Sequence, residues 1–146
     1  MNLKFETINF EITENIAIIR LNRPNSYNSL NAKMAKELLE ISYECDTNKK
    51  IRAIILTGEG DKAFCAGGDL KSFHETGNVA KHLKMVTHDL HGAITRFSRM
   101  NSPLIVAVNG VAAGAGLSFV GFADLAIAKS GATFVSAYTK AGLTPD

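Results

Sequence analysis

Cysteine is scarce in this chain. Cys45 and Cys65 are the only two in 146 residues, too few and too far apart for a disulfide framework or a CxxC metal knuckle. Two reduced thiols are the expectation. A strong charge of either sign is also missing: the net charge is +2, with both signs scattered along the chain, so nothing favours nucleic acid or an anionic membrane as partner. Nor is there a long hydrophobic run at the start. The opening MNLKFETINFEITENIAIIR breaks its apolar positions with Glu6, Glu11 and Glu14, which leaves neither a signal-peptide core nor a transmembrane segment. A cytoplasmic protein is expected. What is present, 46% hydrophobic and 21% charged residues, suffices to bury a sizeable core in one globular domain.

Strand and helix patterns alternate without a repeat or a low-complexity tract. Residues 5–12 and 15–21 read as short strands joined by a turn at Thr13 and Glu14, in the manner of a hairpin. Asn31 is placed to cap a helix over 32–45, where Met34, Leu38, Leu39 and Ile41 recur at helical spacing and Lys33, Lys36, Glu37 and Glu40 lie mostly on the other side. Residues 53–57, AIILT, form a continuous apolar run closed by Gly58-Glu59-Gly60, the pattern of a strand buried on both faces. A helix over 79–100 follows. Pro103 then opens a second buried strand over 104–109, and after a glycine-rich turn residues 117–122 suggest a short buried helix, with brief strands at 125–128 and 133–137. This order predicts an α/β domain.

Two stretches carry chemistry, and both are built from backbone. In AFCAGGDLK, residues 63–71, the small residues Ala66, Gly67 and Gly68 let a ligand approach main-chain N–H groups. In NGVAAGAGLSF, residues 109–119, Gly114, Ala115 and Gly116 lead from a strand directly into a helix, whose free N–H groups and positive dipole end suit an anion or a developing oxyanion. One such turn is often only structural. Two of them facing one cleft are more specific.

These stretches match a known pattern. KAFCAGGDLK resembles the Phe-x-Ala-Gly-x-Asp-Leu signature of the enoyl-CoA hydratase/isomerase (crotonase) superfamily, and SPLIVAVNGVAAGAGLSFVGFADLAIA resembles its Pro-x-Ile-Ala-x-Val-x-Gly stretch with the later Ala-Asp. LNRPNSYNSLN, residues 21–31, is similar to the family's CoA-contacting loop. The resemblance implies an α/β crotonase-like spiral of β-β-α units acting on an acyl-CoA thioester, with no metal or redox cofactor and with coenzyme A entering only as part of the substrate. It makes the backbone N–H groups of Gly68 and Ala115 two oxyanion-hole donors. It places Ala66 and Leu70 at the adenine end through their backbones, Lys71 within reach of a CoA phosphate, and Asn25, Ser26 and Tyr27 at the CoA entrance. Many relatives have a lysine where Asn25 stands, so that phosphate contact is not carried over. Asp69 is expected to cap the following helix.

The departures narrow the reaction. Hydratases of the family flank the double bond with two glutamates, and the resemblance sets Ser118 and Tyr138 at those positions. Neither is a carboxylate. Asp146 falls at an alternative acid position used by other branches, and desolvation near Tyr138, Leu143 and Pro145 would raise its pKa toward that of a proton shuttle. A solvated aspartate in a turn is the competing reading. Adding water is most easily done by two placed groups, whereas a 1,3-proton shift needs one carboxylate that takes and returns the proton. Double-bond isomerisation therefore leads, with hydration, other enolate chemistry or non-catalytic CoA-thioester binding as alternatives. Ser118 either orients a ligand or bonds its local backbone, and Tyr138 either shapes the acyl pocket or simply packs.

Other candidates are weaker. His88 and His91 share a helix face with no ligand set around them. Gly58-x-Gly60-x-x-Ala63 lacks the helix that a dinucleotide fingerprint opens at once. No GxSxG elbow is present. The resemblance also implies that relatives run well past the position of Asp146, with helices that cover the acyl pocket and build a homotrimer or a hexamer of paired trimers. The chain is thus expected to be an N-terminal core, either only the ordered part of a longer polypeptide or an inactive, association-prone fragment, exposing the apolar faces of residues 105–108 and 117–122.

Overall fold

The hairpin at the N-terminus sets the first layer. In the computed structural model, which describes residues 4–74 and 77–144, β1 (Ile8–Thr13) and β2 (Ile16–Leu21) pair antiparallel with Thr13 opposite Ile16. The turn is Glu14-Asn15, one residue later than expected, and both residues have positive φ, 50° and 68°. A left-handed pair of this kind matches the natural twist of the two strands. The first strand starts at Ile8 rather than residue 5, because the Glu6 and Thr7 amides donate to the Glu37 carboxylate at 2.9 and 3.0 Å. The Thr7 hydroxyl bonds the same carboxylate. Glu37, expected on the polar side of its helix, is 4% exposed. Its charge-assisted hydrogen bonds offset the cost of that burial.

That helix, α1 (Ala32–Thr47), starts where the Asn31 side chain accepts the Met34 amide at 2.9 Å, a cap worth about 1 kcal/mol. It buries Met34, Ala35, Leu38, Ile41 and Cys45. β3 (Ala53–Gly58) and β5 (Leu104–Val108) extend the sheet in parallel, β7 (Leu125–Ala128) closes it, and the order is β1-β2-β3-β5-β7. Ile54, Leu56, Leu104 and Val106 are fully buried, while Ala53 and Ile55 are only half-buried, so β3 is less enclosed than its apolar run suggests.

A second, parallel sheet was not expected in full. It consists of β4 (Ala63–Cys65), β6 (Val111–Ala113) and β8 (Phe134–Val135), in the order β4-β6-β8. Residues 63–65 and 111–113, read as parts of glycine-rich turns, are strands, and the strand expected over 133–137 shortens to 134–135. Successive strand pairs β3-β4, β5-β6 and β7-β8 each advance one place in both sheets, which is the β-β-α spiral anticipated above. Helices α2 (Leu70–His74) and α3 (Val79–Phe97) follow the first pair, and α4 (Ala115–Phe122) the second. α3 ends three residues before the predicted Met100. It buries Val86, Leu90, Ala93 and Phe97, one stripe at the spacing of a helix lying on a core.

The expected exposed faces are only partly open. Val106, Val108 and Phe119 are buried, while Ile105, Leu117, Val120 and Phe122 are half-buried. More open apolar positions lie on the last strands, with Leu125 at 54%, Ile127 at 59% and Phe134 at 47% exposure. Among the described residues no helix is long and apolar enough to cross a membrane.

Candidate active site

The loop over residues 66–69 is ordered by the chain segment beside it. The Ala66 amide donates to the Tyr27 carbonyl at 3.0 Å, the Leu30 amide to the Gly67 carbonyl at 2.8 Å, and the Asp69 amide to the Leu30 carbonyl at 2.8 Å. Leu30 and Gly68 thereby form a parallel bridge. In such a bridge Leu30 bonds the two residues flanking Gly68, and the N–H of Gly68 itself faces away from Leu30. The Gly68 amide has no hydrogen-bond partner among the described residues. The chain thus engages the Ala66 and Asp69 donors on either side and keeps that of Gly68.

The turn over 113–116 reaches a similar state by another route. Gly114, at φ 51°, is the N-cap of α4, and its carbonyl accepts the Leu117 and Ser118 amides at 2.9 and 3.1 Å. Its own amide donates to the Val135 carbonyl at 3.0 Å. Ala115 is the first helical residue, so its N–H has no carbonyl within the helix to bond, and none is found among the other described residues.

Close backbone contact brings the two turns together. Gly67 has φ 92°, and a Cβ there would lie 2.9 Å from the Ala113 carbonyl oxygen and 3.5 Å from the Ala115 nitrogen. At Gly116 a Cβ would stand 2.1 Å from the Cys65 carbonyl oxygen. Only glycine lets α4 lie this close to β4. Gly68 and Ala115 then border one cavity of about 460 Å³, with Ala66, Leu70, Phe73 and Tyr138 also in its wall. A second cavity of about 530 Å³ lies between α3 and α4 and shares Leu90, Ala115 and Tyr138 with the first.

At the boundary of the two cavities, the Ser118 and Tyr138 hydroxyls are hydrogen-bonded at 2.7 Å. The sequence reading left each with a bland alternative, and their pairing across 20 residues was not foreseen. Leu70 borders the cavity with a half-exposed side chain, whereas Lys71 is exposed and outside it. Asn25 and Ser26 lie in a 3-10 turn over Pro24–Ser26, outside the cavity wall. Tyr27, 54% exposed, follows at φ 52° and adjoins the 66–69 loop through its carbonyl. Asp146 lies outside the described residues.

Asp69 caps α2, as expected, by accepting the Ser72 amide at 3.2 Å. Its other oxygen takes a second, unforeseen bond from Arg23 Nη2 at 2.8 Å. Partial burial alone would raise this carboxyl. The hydrogen bonds from Arg23 and the Ser72 backbone, with the attraction of the guanidinium, outweigh that and hold it below the usual carboxylate range. Cys65, fully enclosed beneath the two turns, has its thiol pushed up to about 12 by burial. It is no nucleophile at neutral pH.

A two-sheet spiral whose strand ends carry paired backbone turns is the architecture of a crotonase fold. The chain belongs to the enoyl-CoA hydratase/isomerase family, whose sequence model, described as Enoyl-CoA hydratase/isomerase, matches residues 11–146. It is 40% identical over 145 residues to a Rhodobacter capsulatus protein named "Probable enoyl-CoA hydratase", covering 99% of this chain and 54% of that one. It is 36% identical to the 1,2-epoxyphenylacetyl-CoA isomerase of Escherichia coli, over 97% of this chain and 54% of the relative. The crystal structure of an enoyl-CoA hydratase/isomerase from Mycobacterium paratuberculosis superposes with a TM-score of 0.88 at 29% identity, covering 98% of this chain and 57% of that one. The chain therefore spans about half the length of the relatives it matches.

Proposed function

We propose that the protein acts on an acyl-CoA thioester, holding its carbonyl oxygen between the Gly68 and Ala115 N–H groups while an α-proton is moved. The observation that carries this is the pair of unengaged backbone amides bordering one cavity. Removing an α-proton drives charge onto the thioester oxygen, and two fixed donors stabilise that charge. Each donor of this kind lowers the barrier by about 3 to 4 kcal/mol. Names among the relatives, a hydratase and an isomerase acting on CoA thioesters, support the same substrate class. In this reading the CoA moiety runs past Asn25, Ser26 and Tyr27, with Lys71 toward a phosphate and the backbones of Ala66 and Leu70 near the adenine. The Ala66 amide is already given to Tyr27, so its carbonyl is the group left for that contact.

Double-bond isomerisation is the favoured reaction. Ser118 and Tyr138 present hydroxyls bonded to each other, and neutral hydroxyls are poor bases near pH 7. Asp146 is then the group that takes and returns the proton. A second reading, a CoA-thioester-binding protein without catalysis, draws on the same lack of carboxylates at Ser118 and Tyr138. The whole protein is proposed to assemble as a trimer or a pair of trimers, and the open apolar positions at Leu125, Ile127 and Phe134 support further packing there.

Supplying full-length protein with a β,γ-enoyl-CoA and following the conjugated thioester absorbance decides between these readings. Conversion that Asp146→Asn abolishes, with thioester affinity kept within a few-fold, is the expected result. Tight binding without conversion would leave the non-catalytic reading.

A further inference from the structure

Arg23 and Asp69 sit 46 residues apart and border neither cavity of the site. Yet they join every segment that fixes the Gly68 peptide. Arg23 Nη1 donates to the Ser29 carbonyl at 2.6 Å, and Nη2 donates to Asp69 Oδ2 at 2.8 Å. The Arg23 amide is itself held by Asn28 Oδ1 at 3.0 Å, and Asn28 Nδ2 bonds the Ala63 carbonyl at 2.8 Å. One guanidinium therefore ties the 27–30 segment to the residue that follows Gly68. Asp69 passes the restraint onward: its Oδ1 starts α2, and α2 carries Phe73, whose ring lies 2.9 Å from where a Gly68 Cβ would stand.

This tie differs from an ordinary surface ion pair. The side chains are 20% and 14% exposed, and the planar fork of arginine addresses two acceptors at once, which a lysine cannot do from one nitrogen with the same geometry. Asp69 uses both oxygens on different segments. The 67–69 backbone is otherwise held by the ladder to Leu30 and, at the Asp69 carbonyl, by the Phe73 amide and the Ser72 hydroxyl, while Gly67 sits at positive φ, a conformation with little intrinsic preference of its own. A displacement of a fraction of an ångström in that peptide is enough to spoil a donor aimed at a developing oxyanion.

We infer that Arg23 and Asp69 form a positioning clamp that holds the Gly68 N–H in line with the Ala115 N–H, so that both meet one thioester oxygen. The inference rests on the donor assignment proposed above. Neither residue touches substrate; both act through the peptide they fix.

The test uses full-length protein and the CoA thioester of an aromatic enoic acid, whose absorbance moves to longer wavelength when its carbonyl is polarised. Wild type is expected to bind with a clear red shift. Asp69→Asn is expected to bind within a few-fold of wild type and to lose most of the shift. Arg23→Gln should do the same, and Arg23→Lys should restore part of it. A role limited to stability would lower thermal midpoints and leave the shift per bound ligand unchanged, and that result overturns the clamp. If Asp69→Asn does not fold, the two Arg23 variants decide by the same criterion. A wild type that binds with no shift overturns the donor assignment itself and the clamp with it.

Discussion

The two turns that meet at the cavity are restrained in different ways. The 66–69 loop is held by side chains from a distance: Arg23, Asn28 and Asp69 make a polar network around it, with Phe73 over one side. Among the described residues the 113–116 turn has no such side-chain network. It is held by backbone alone, through the Gly114 amide on Val135, and by the approach of Gly116 to the Cys65 carbonyl. The first arrangement responds to changes of charge, the second to changes of volume. That difference gives each turn its own way to fail.

Volume gives the largest effect. At Gly116 an added methyl would fall 2.1 Å from a main-chain oxygen, and strand β4 has no flexible side-chain end to yield there. Gly116→Ala is expected to cost more than the roughly 1–3 kcal/mol of ordinary overpacking, read as a large drop in the urea or thermal midpoint. An unchanged midpoint would show that the turns do not meet as described.

Next comes removal of a donor without loss of volume. Ala115 is the first residue of α4, a position where proline is tolerated because its N–H is unpaired within the helix. Ala115→Pro is expected to keep the fold and to lower the turnover rate of the full-length protein by about 10²-fold or more. Full activity in that variant would place the oxyanion donors elsewhere.

Charge gives a smaller and pH-dependent effect on the other turn. The Asp69 carboxyl is held below its ordinary value by its hydrogen bonds despite partial burial. A group with a depressed folded pKa contributes stability above its unfolded pKa and loses that contribution as pH falls through the folded one. Wild type should therefore lose stability on the acid side of the carboxylate range more steeply than Asp69→Asn does. Unfolding midpoints from pH 7 down to about pH 3 compare the two, and parallel curves would remove Asp69 from the acid response.

Legibility in the sequence followed length and locality. Helices α1 and α3 and strands β2, β3 and β5 were readable because each has enough residues to display a period, and Asn31 announced its cap. β4 and β6, with three residues each, are too short for any alternation to register. Glu37 was misplaced because helix periodicity assigns charges to the outside, whereas its partners are backbone amides 30 and 31 residues away. The two glycine turns were visible as motifs, whereas their meeting at one cleft was implied only by the family resemblance. The Arg23 to Asp69 tie and the Ser118 to Tyr138 pair were not, since nothing local marks contacts across 46 and 20 residues. Residues 125–128 were readable as a brief strand, but the apolar character of Leu125 and Ile127 does not say whether a neighbour is there to cover them.

Cys65 offers the finest probe of the contrast, because it belongs to both turns at once. Its carbonyl faces Gly116, and it leads directly into the 66–69 loop. Burial pushes its thiol up to about 12, so at pH 8 it is held almost wholly as the unreactive thiol. Cys45, buried in α1 away from the turns and also pushed up to about 12 by burial, serves as the internal reference. Both are expected to resist a disulfide reagent in the native protein and to react fully in denaturant. In a Cys45→Ala background, labelling of Cys65 then reports how often β4 and α4 separate, since the reagent cannot enter while they touch. The polar network around the 66–69 loop does not bridge to α4, so Asp69→Asn should change this rate by only a few-fold. Rapid labelling of Cys65 in the native wild type would mean that the backbone contact beneath the cavity is open in solution.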